Sequence, residues 1–262
     1  MIRWCCYCQD FIGECAPYDD VSVTHGICEP CRERLVRGDP LKEQTASVRA
    51  LSNKLFESAR QGDHAACAAT LAEAKTVGMD GVSILVGLVQ PALYRAGLQW
   101  QGGQMSVAEE HRVTSWCERM FALLAPAPMR PPPVDLLILQ APGNAHTLGP
   151  RFAREVLSAW GLSVEVVVPE LPLDEAVALV RQWRPRVVGL SCALASQVPV
   201  ATAYITQLRA RLWPAIGMRY LLSGFAFRLG GGAEVPRMEA GIDAAVELSS
   251  ARQIIAESEH RD

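Results

Sequence analysis

Val134-Asp135-Leu136-Leu137-Ile138-Leu139-Gln140, followed by Ala141-Pro142-Gly143-Asn144-Ala145-His146-Thr147-Leu148-Gly149, is the stretch on which the fold turns. A short apolar run bounded by Pro and Gly suits a strand buried on both faces, and a helical pattern over Gly149–Trp160 follows it. The alternation then repeats: Ser163–Val168 as strand, Leu173–Trp183 as helix, Arg186–Ser191 as strand, Val198–Leu212 as helix, Tyr220–Ser223 as strand, a weaker segment near Ala244, and helix over Ser250–Ser258. Buried strands alternating with helices predict a doubly wound, five-stranded parallel sheet. Ligands of such sheets sit at the carboxyl ends of the strands, which directs attention to the loops after Gln140, Ser191 and Ser223.

Upstream the pattern changes. Ala125-Pro126-Ala127-Pro128-Met129-Arg130-Pro131-Pro132-Pro133 disfavours helix and predicts a stiff linker over residues 126–133. Before it, Val48, Leu51 and Leu55 share a helical face and His64–Val77 is alanine-rich. Asp80–Gly97 reads as a third helix kinked at Pro91, and Ser106–Leu124 as a fourth, with Val113, Cys117, Met120 and Leu124 on one stripe. Four amphipathic segments with short connections predict an antiparallel four-helix bundle over residues 41–125. Residues 1–40 are turn-rich, cysteine-dense and too few to bury a core without a metal or a neighbour. The expected fold class is multidomain, α and α/β: a small cysteine-rich zinc-binding segment, a four-helix bundle, and a flavodoxin-like sheet domain over residues 134–262.

The 262 residues carry 25 basic and 28 acidic side chains, a net charge of −3, which argues against nucleic-acid binding through overall charge. No apolar run reaches the roughly 18 uninterrupted residues of a membrane span. Met1-Ile2-Arg3-Trp4-Cys5-Cys6 lacks the apolar stretch of a signal peptide, so a cytoplasmic location without membrane association is expected. There is no P-loop, no His-Glu-x-x-His and no Gly-x-Ser-x-Gly, and catalysis by the chain itself is not expected.

His146 lies in the loop after the first strand of the sheet, where a neutral imidazole can ligate a metal, act as a base or hydrogen-bond the backbone. Ser191 ends one strand and Gly224 follows another, leaving room at the sheet edge for a bulky ligand. Asn144-x-His146-x-x-Gly149, Ser191-Cys192-Ala193 and Ser223-Gly224 together resemble the motif of cobalamin-binding domains. That resemblance implies His146 as lower ligand of cobalt, replacing the cofactor's own dimethylbenzimidazole, with Gly149, Ser191 and Gly224 against the nucleotide tail. Asn144 stands where the family carries Asp or Glu, so a charge that would make the imidazole more basic is missing. Ala193 likewise replaces Leu, and Ser223 replaces a glycine.

Trp100, then nine residues, then Glu110-His111 is similar to the mark of the CarH-type B12 photoreceptors, in which a helical bundle caps the upper face of adenosylcobalamin. The resemblance, which covers about residues 45–250, implies that Trp100 shields the adenosyl group while Glu110 and His111 line the same cavity. Read on the residues alone, Ser106-x-x-Glu109 is a capping box, Trp100 a core residue and Glu110 an acid favoured in a first helical turn. Gln101 stands where the photoreceptors carry the histidine that binds cobalt after light, so the expected photoproduct is water-ligated or bound by His111. The MerR-type winged helix of those photoreceptors is absent from the sequence.

In its place stand Cys5-x-x-Cys8 and, nineteen residues on, Cys28-x-x-Cys31, a spacing that suits tetrahedral zinc held by four thiolates. Cys6 and His25 are near enough to substitute as ligands, and a thiol redox sensor is the alternative. Arg3, Arg32, Arg34 and Arg37 against Glu14, Asp19, Asp20 and Glu29 point to protein docking or dimerisation and away from direct DNA binding. The expectation is a cobalamin-binding signalling protein in transcription regulation, an adenosylcobalamin-dependent sensor of light or of B12. It would change its protein contacts, with a homo-oligomer or a regulatory protein as partner, when the upper ligand of cobalt is lost. A corrinoid carrier of a methyltransferase system and a haem sensor with His146 on iron are the alternatives.

Overall fold

A computed structural model describes residues 1–18, 20–41, 45–124, 132–212, 218–227, 242–245 and 247–258, without the side chains of residues 45–47. The chain forms two compact units: Met1–Ala16 with Asp20–Pro126, and Ala127–Asp262 with Pro17–Asp19. Of the linker expected over residues 126–133, all but Pro132 and Pro133 lies outside the described residues.

The first unit opens with three four-residue strands where the sequence suggested only turns: β1 (Ile2–Cys5), β2 (Phe11–Glu14) and β3 (Val23–Gly26). β1 is central, antiparallel to β2 and parallel to β3. Helix α1 (Glu29–Val36) follows, with Pro30 and Glu29 in the first turn, both suited to a helix N-terminus. The bundle comprises α2 (Thr45–Gln61), α3 (His64–Thr76), a long third helix and α6 (Val107–Leu124). The third helix consists of α4 (Gly81–Ile84), a π turn over Leu85–Val89, and α5 (Gln90–Gln101). Side-chain caps start three of the helices. Asp63 accepts from Ala66 N–H at 2.9 Å and Asp80 from Ser83 N–H at 2.6 Å, while Glu109 accepts from both Ser106 N–H, at 2.9 Å, and Ser106 Oγ–H, at 2.7 Å. Val48, Leu51 and Leu55 are buried as their spacing predicts. On α6, Val113 and Cys117 are buried, but Trp116 and Phe121 complete the inner face and Met120 and Leu124 are only half-buried.

The kink expected at Pro91 is replaced by the π turn. Gln90 N–H donates to Leu85 O, five residues back, so the backbone is widened just ahead of the proline and the helix continues to Gln101. Gly81–Gln101 is thereby one helix of 21 residues, long and apolar enough by length and composition to cross a membrane, contrary to the sequence expectation. Counting Gly and Pro as breaks hid it. Within the bundle Leu85–Val89 are all buried.

The cysteine-rich sheet is seated on this helix. Trp4 of β1 is completely buried, and a Cβ on Gly87 would fall 1.8 Å from Trp4 Cζ2. The indole also meets Phe11 edge-on, with ring centroids 6.1 Å apart, and Arg49 of α2 reaches Val23 O at 3.4 Å. A segment too small for a core of its own shares that of the bundle.

The second unit is a parallel sheet of β4 (Leu136–Gln140), β5 (Val164–Val167), β6 (Val187–Ser191), β7 (Arg219–Ser223) and β8 (Ile242–Ala245), in the order β5-β4-β6-β7-β8. The connecting helices are α7 (Leu148–Ala159), α8 (Leu173–Trp183) and α9 (Val198–Leu212), with α10 (Leu248–Ser258) closing the chain. Strand residues alternate between two cores. Leu137, Leu139, Val188, Leu190, Tyr220 and Leu222 pack with residues of α8 and α9, and Leu136, Ile138, Val187 and Leu221 with residues of α7 and α10. Both faces are covered, which is why the strands read as unbroken apolar runs.

Candidate functional site

The strand order reverses between β4 and β6, which makes the ends of these two strands the switch point of the sheet. Gln140 pairs with Ser191, and Ser191 with Ser223, so the three loops singled out from sequence leave the sheet at one level.

In the loop after β4, Asn144 is 4% exposed and organises its neighbours. Its Nδ2 donates to Ser191 O at 3.0 Å, which orients the amide. Its Oδ1 accepts from His146 N–H at 3.0 Å and lies 3.2 Å from His146 Nδ1. The proton therefore belongs on Nδ1, leaving Nε2 of an exposed imidazole as the basic nitrogen. This geometry also explains the departure from an acidic residue. A carboxylate at position 144 has no donor for Ser191 O and would set two oxygens against each other.

Three residues that the sequence reading did not identify hold this loop. Gln140 Nε2 donates to Asn144 O, Glu170 accepts from Gly143 N–H, and Gln197 Nε2 donates to Gly143 O at 2.8 Å. Gln140 Oε1, at the same strand end, is buried without a partner.

The two glycines differ in kind. Gly224 has φ +115°, and a Cβ there would lie 2.3 Å from Cys192 O, so the crossing of the loops after β6 and β7 demands glycine with or without a ligand. Gly149, in the first turn of α7, has nothing within 4 Å of a Cβ position. Packing does not require it, and the space above it is open to a ligand.

On the bundle, the capping box at Ser106 accounts for Glu109. Trp100 is not a core residue; it is 48% exposed near the end of α5. Glu110 and His111 are brought together, Oε2 to Nδ1 at 2.7 Å, while Thr114 donates to the other carboxylate oxygen at 2.7 Å. Val107, 55% exposed, adds apolar surface to the same helix start.

In the N-terminal segment the Sγ atoms of Cys5, Cys8, Cys28 and Cys31 all lie within 4.8 Å of one another, the one such ligand cluster among the described residues. Cys6 and His25 are not part of it. Cys5 and Cys8 bracket the turn after β1; Cys28 caps α1 and Cys31 lies in its first turn. Burial pushes the Cys5 thiol up, but N–H groups of Cys28, Cys8 and Tyr7 stabilise its thiolate and bring it to about 7. Burial raises Cys31 to about 11, and raises Cys8 as well. Cys67, Cys117 and Cys192 are buried free thiols, all raised by desolvation, as expected of small core residues.

Residues 51–125 match the family model described as B12 binding domain. No curated protein sequence is significantly similar to the chain. Among solved structures, the chain is similar to the Methanosarcina barkeri monomethylamine corrinoid protein at 12% identity and TM-score 0.61, covering 80% of this chain and 98% of that one. At this identity the likeness is one of fold. A cobalamin-binding protein from Desulfitobacterium hafniense matches at 16% identity over 79% of this chain and 98% of that one, with a TM-score of 0.38. The methanol:cobalamin methyltransferase complex of Methanosarcina barkeri matches at 15% identity over 86% and 89%, also with a TM-score of 0.38.

Proposed function

We propose that the chain binds a cobalamin through His146 Nε2 and uses it to sense light or B12. The observation that carries this reading is the imidazole itself: exposed at the switch point of the sheet, with its tautomer set by Asn144. The donor set fits. A neutral imidazole nitrogen suits cobalt, the open space at Gly149 suits a nucleotide tail, and the buried acceptor Gln140 Oε1 at the same strand end awaits a donor. The match of residues 51–125 to the B12 binding domain and the corrinoid-protein fold support the cofactor class. When bound, adenosylcobalamin would supply a cobalt–carbon bond that light can break.

The chain's own residues then have distinct tasks. Asn144 holds the imidazole in place without adding charge, and Ser191 fixes Asn144. On the bundle, Trp100 offers an exposed indole and Glu110 orients the imidazole of His111, the residues that the resemblance assigns to the upper ligand. The chain is read as non-catalytic, its output passing through self-association or a regulatory protein partner. A corrinoid carrier is the second reading, favoured by the fold it shares with a monomethylamine corrinoid protein.

The test is to load the protein with adenosylcobalamin in darkness, remove free cofactor, and record the visible spectrum and the size-exclusion profile before and after green light. Retention with an irreversible spectral change and a shifted elution is the expected result. Retention without either change overturns the light-sensing reading in favour of a passive B12 sensor or a carrier. If no cobalamin is retained, the cofactor assignment itself fails.

A further inference from the structure

Outside the sheet edge and the α5–α6 corner, one constellation has no role in cobalamin binding: the four thiols at the N-terminus and the strand that joins them to the bundle. We propose that Cys5, Cys8, Cys28 and Cys31 hold one zinc ion as a tetrathiolate, and that this ion keeps Trp4 seated in the notch at Gly87.

The cluster has the parts of a closed tetrahedral site. Its four sulfurs come from two Cys-x-x-Cys turns and lie within 4.8 Å of one another, and no disulfide joins them. Cys8 Sγ and Cys28 Sγ, from different turns, are 3.5 Å apart. Four thiolates at about 2.3 Å from a central ion require S···S separations of this order. Backbone support is also in place, since Cys28 N–H points to Cys5 Sγ at 3.5 Å while Cys5 N–H and Gln9 N–H close the turn through Asp10 O and Cys5 O. With all four ligand positions supplied by protein, the site has no vacancy for a substrate, and its role is structural.

The consequence for the bundle follows from strand geometry. Trp4 and Cys5 are consecutive on β1, so their side chains leave opposite faces of the sheet. One face carries a metal ligand, and the other carries the indole that fills the space a side chain at position 87 would need. The indole nitrogen has no hydrogen-bond partner, so the ring is held by its packing against Gly87 and Phe11. A three-stranded sheet of four-residue strands has little core of its own, so a metal cross-link on one face of β1 would fix how its other face packs on the helix.

The experiment uses the full chain, purified without added cobalamin. Elemental analysis should find one zinc per chain, lost in Cys8→Ser and in Cys31→Ser and retained in Cys15→Ser. Removing the ion from the wild-type protein with a chelator should accelerate amide exchange at least tenfold in residues 1–5 and in residues 81–91, and added zinc should reverse this. The chelation arm needs no variant to fold. Protein free of zinc, iron in its place, or peptide mapping that finds these four cysteines as disulfides would overturn the metal assignment. Loss of zinc that leaves exchange at residues 81–91 unchanged would overturn the link to Trp4. None of these readouts requires cobalamin, so failure here is distinguishable from failure of the cofactor reading.

Discussion

Gly87→Ala is the substitution whose effect the structure determines most sharply. The new Cβ would lie 1.8 Å from Trp4 Cζ2, 2.5 Å from Cη2 and 2.7 Å from Cε2, so the ring must leave. Trp4 is fully buried, and an indole of its kind contributes about 150–250 Å² of burial. At roughly 25 cal/mol per Å² this represents about 4–6 kcal/mol. The displaced ring keeps part of its contacts, and alanine returns up to about 1 kcal/mol of helix propensity. The expected net loss is about 2–4 kcal/mol, overlapping the roughly 3–5 kcal/mol cost of emptying an aromatic site. Gly97→Ala, on the same helix with nothing within 4 Å of its Cβ, is the control and should be neutral or stabilising by up to about 1 kcal/mol. Urea unfolding at a fixed zinc concentration, followed by circular dichroism, measures both. Adding Gly87→Ala to Trp4→Ala should cost little more, because the clash partner is already gone. If Gly87→Ala and Gly97→Ala unfold at the same urea concentration, the seating of Trp4 in the notch is refuted.

Other expectations follow from the sheet edge and the bundle. Asn144→Asp, which restores an acidic residue, should destabilise the cofactor-free protein by about 1–3 kcal/mol near neutral pH through loss of the donor to Ser191 O, measured by thermal melting. Unchanged melting would show that the amide orientation is unimportant. Gly149→Ala should stabilise the cofactor-free protein by about 0.5–1 kcal/mol, while weakening cobalamin retention by about 5- to 150-fold in equilibrium dialysis. Equal retention would place the nucleotide tail elsewhere. His146→Ala should abolish retention or leave the cofactor with its own base, visible in the absorption spectrum. Hydrogen bonds from Ser106 hold the Glu109 carboxyl below its ordinary range. The cap's contribution is therefore full above the unfolded carboxyl pKa of about 4.3 and is lost as pH falls through the lower folded value. Amide exchange at the start of α6, corrected for intrinsic rates, should rise in that acid window, and Ser106→Ala should remove the rise.

The sheet was legible because its strands are buried on both faces, so Leu136–Leu139 and Val187–Leu190 stand out as apolar runs. Asn144 and His146 were legible because local spacing puts them in a loop after such a run. Their supports were not. Glu170 and Gln197 lie 27 and 54 residues from Gly143 and meet it only through the sheet's crossover connections. Similarly, nothing in the pattern around Trp4 points to Gly87, and a short strand such as Ile2–Cys5 offers too few alternations to read. Trp100 was weighed as core on residue type, yet its place near the end of α5 leaves it half in solvent. Gly224, which the resemblance assigns to a ligand, has a second reason that no local pattern shows, in the backbone of Cys192.

The π turn over Leu85–Val89 gives the third helix a phase as well as a width. One residue of α-helix corresponds to about 100° of rotation, and a turn closed from Gln90 to Leu85 has one residue more than its neighbours. Every side chain from Gln90 to Gln101 is consequently aimed about a quarter-turn away from where an uninterrupted helix would send it. The direction in which Trp100 faces is thus set more than ten residues earlier, in the segment where Trp4 rests against Gly87. The extra residue in the middle of the helix thus sets the bearing of its far end.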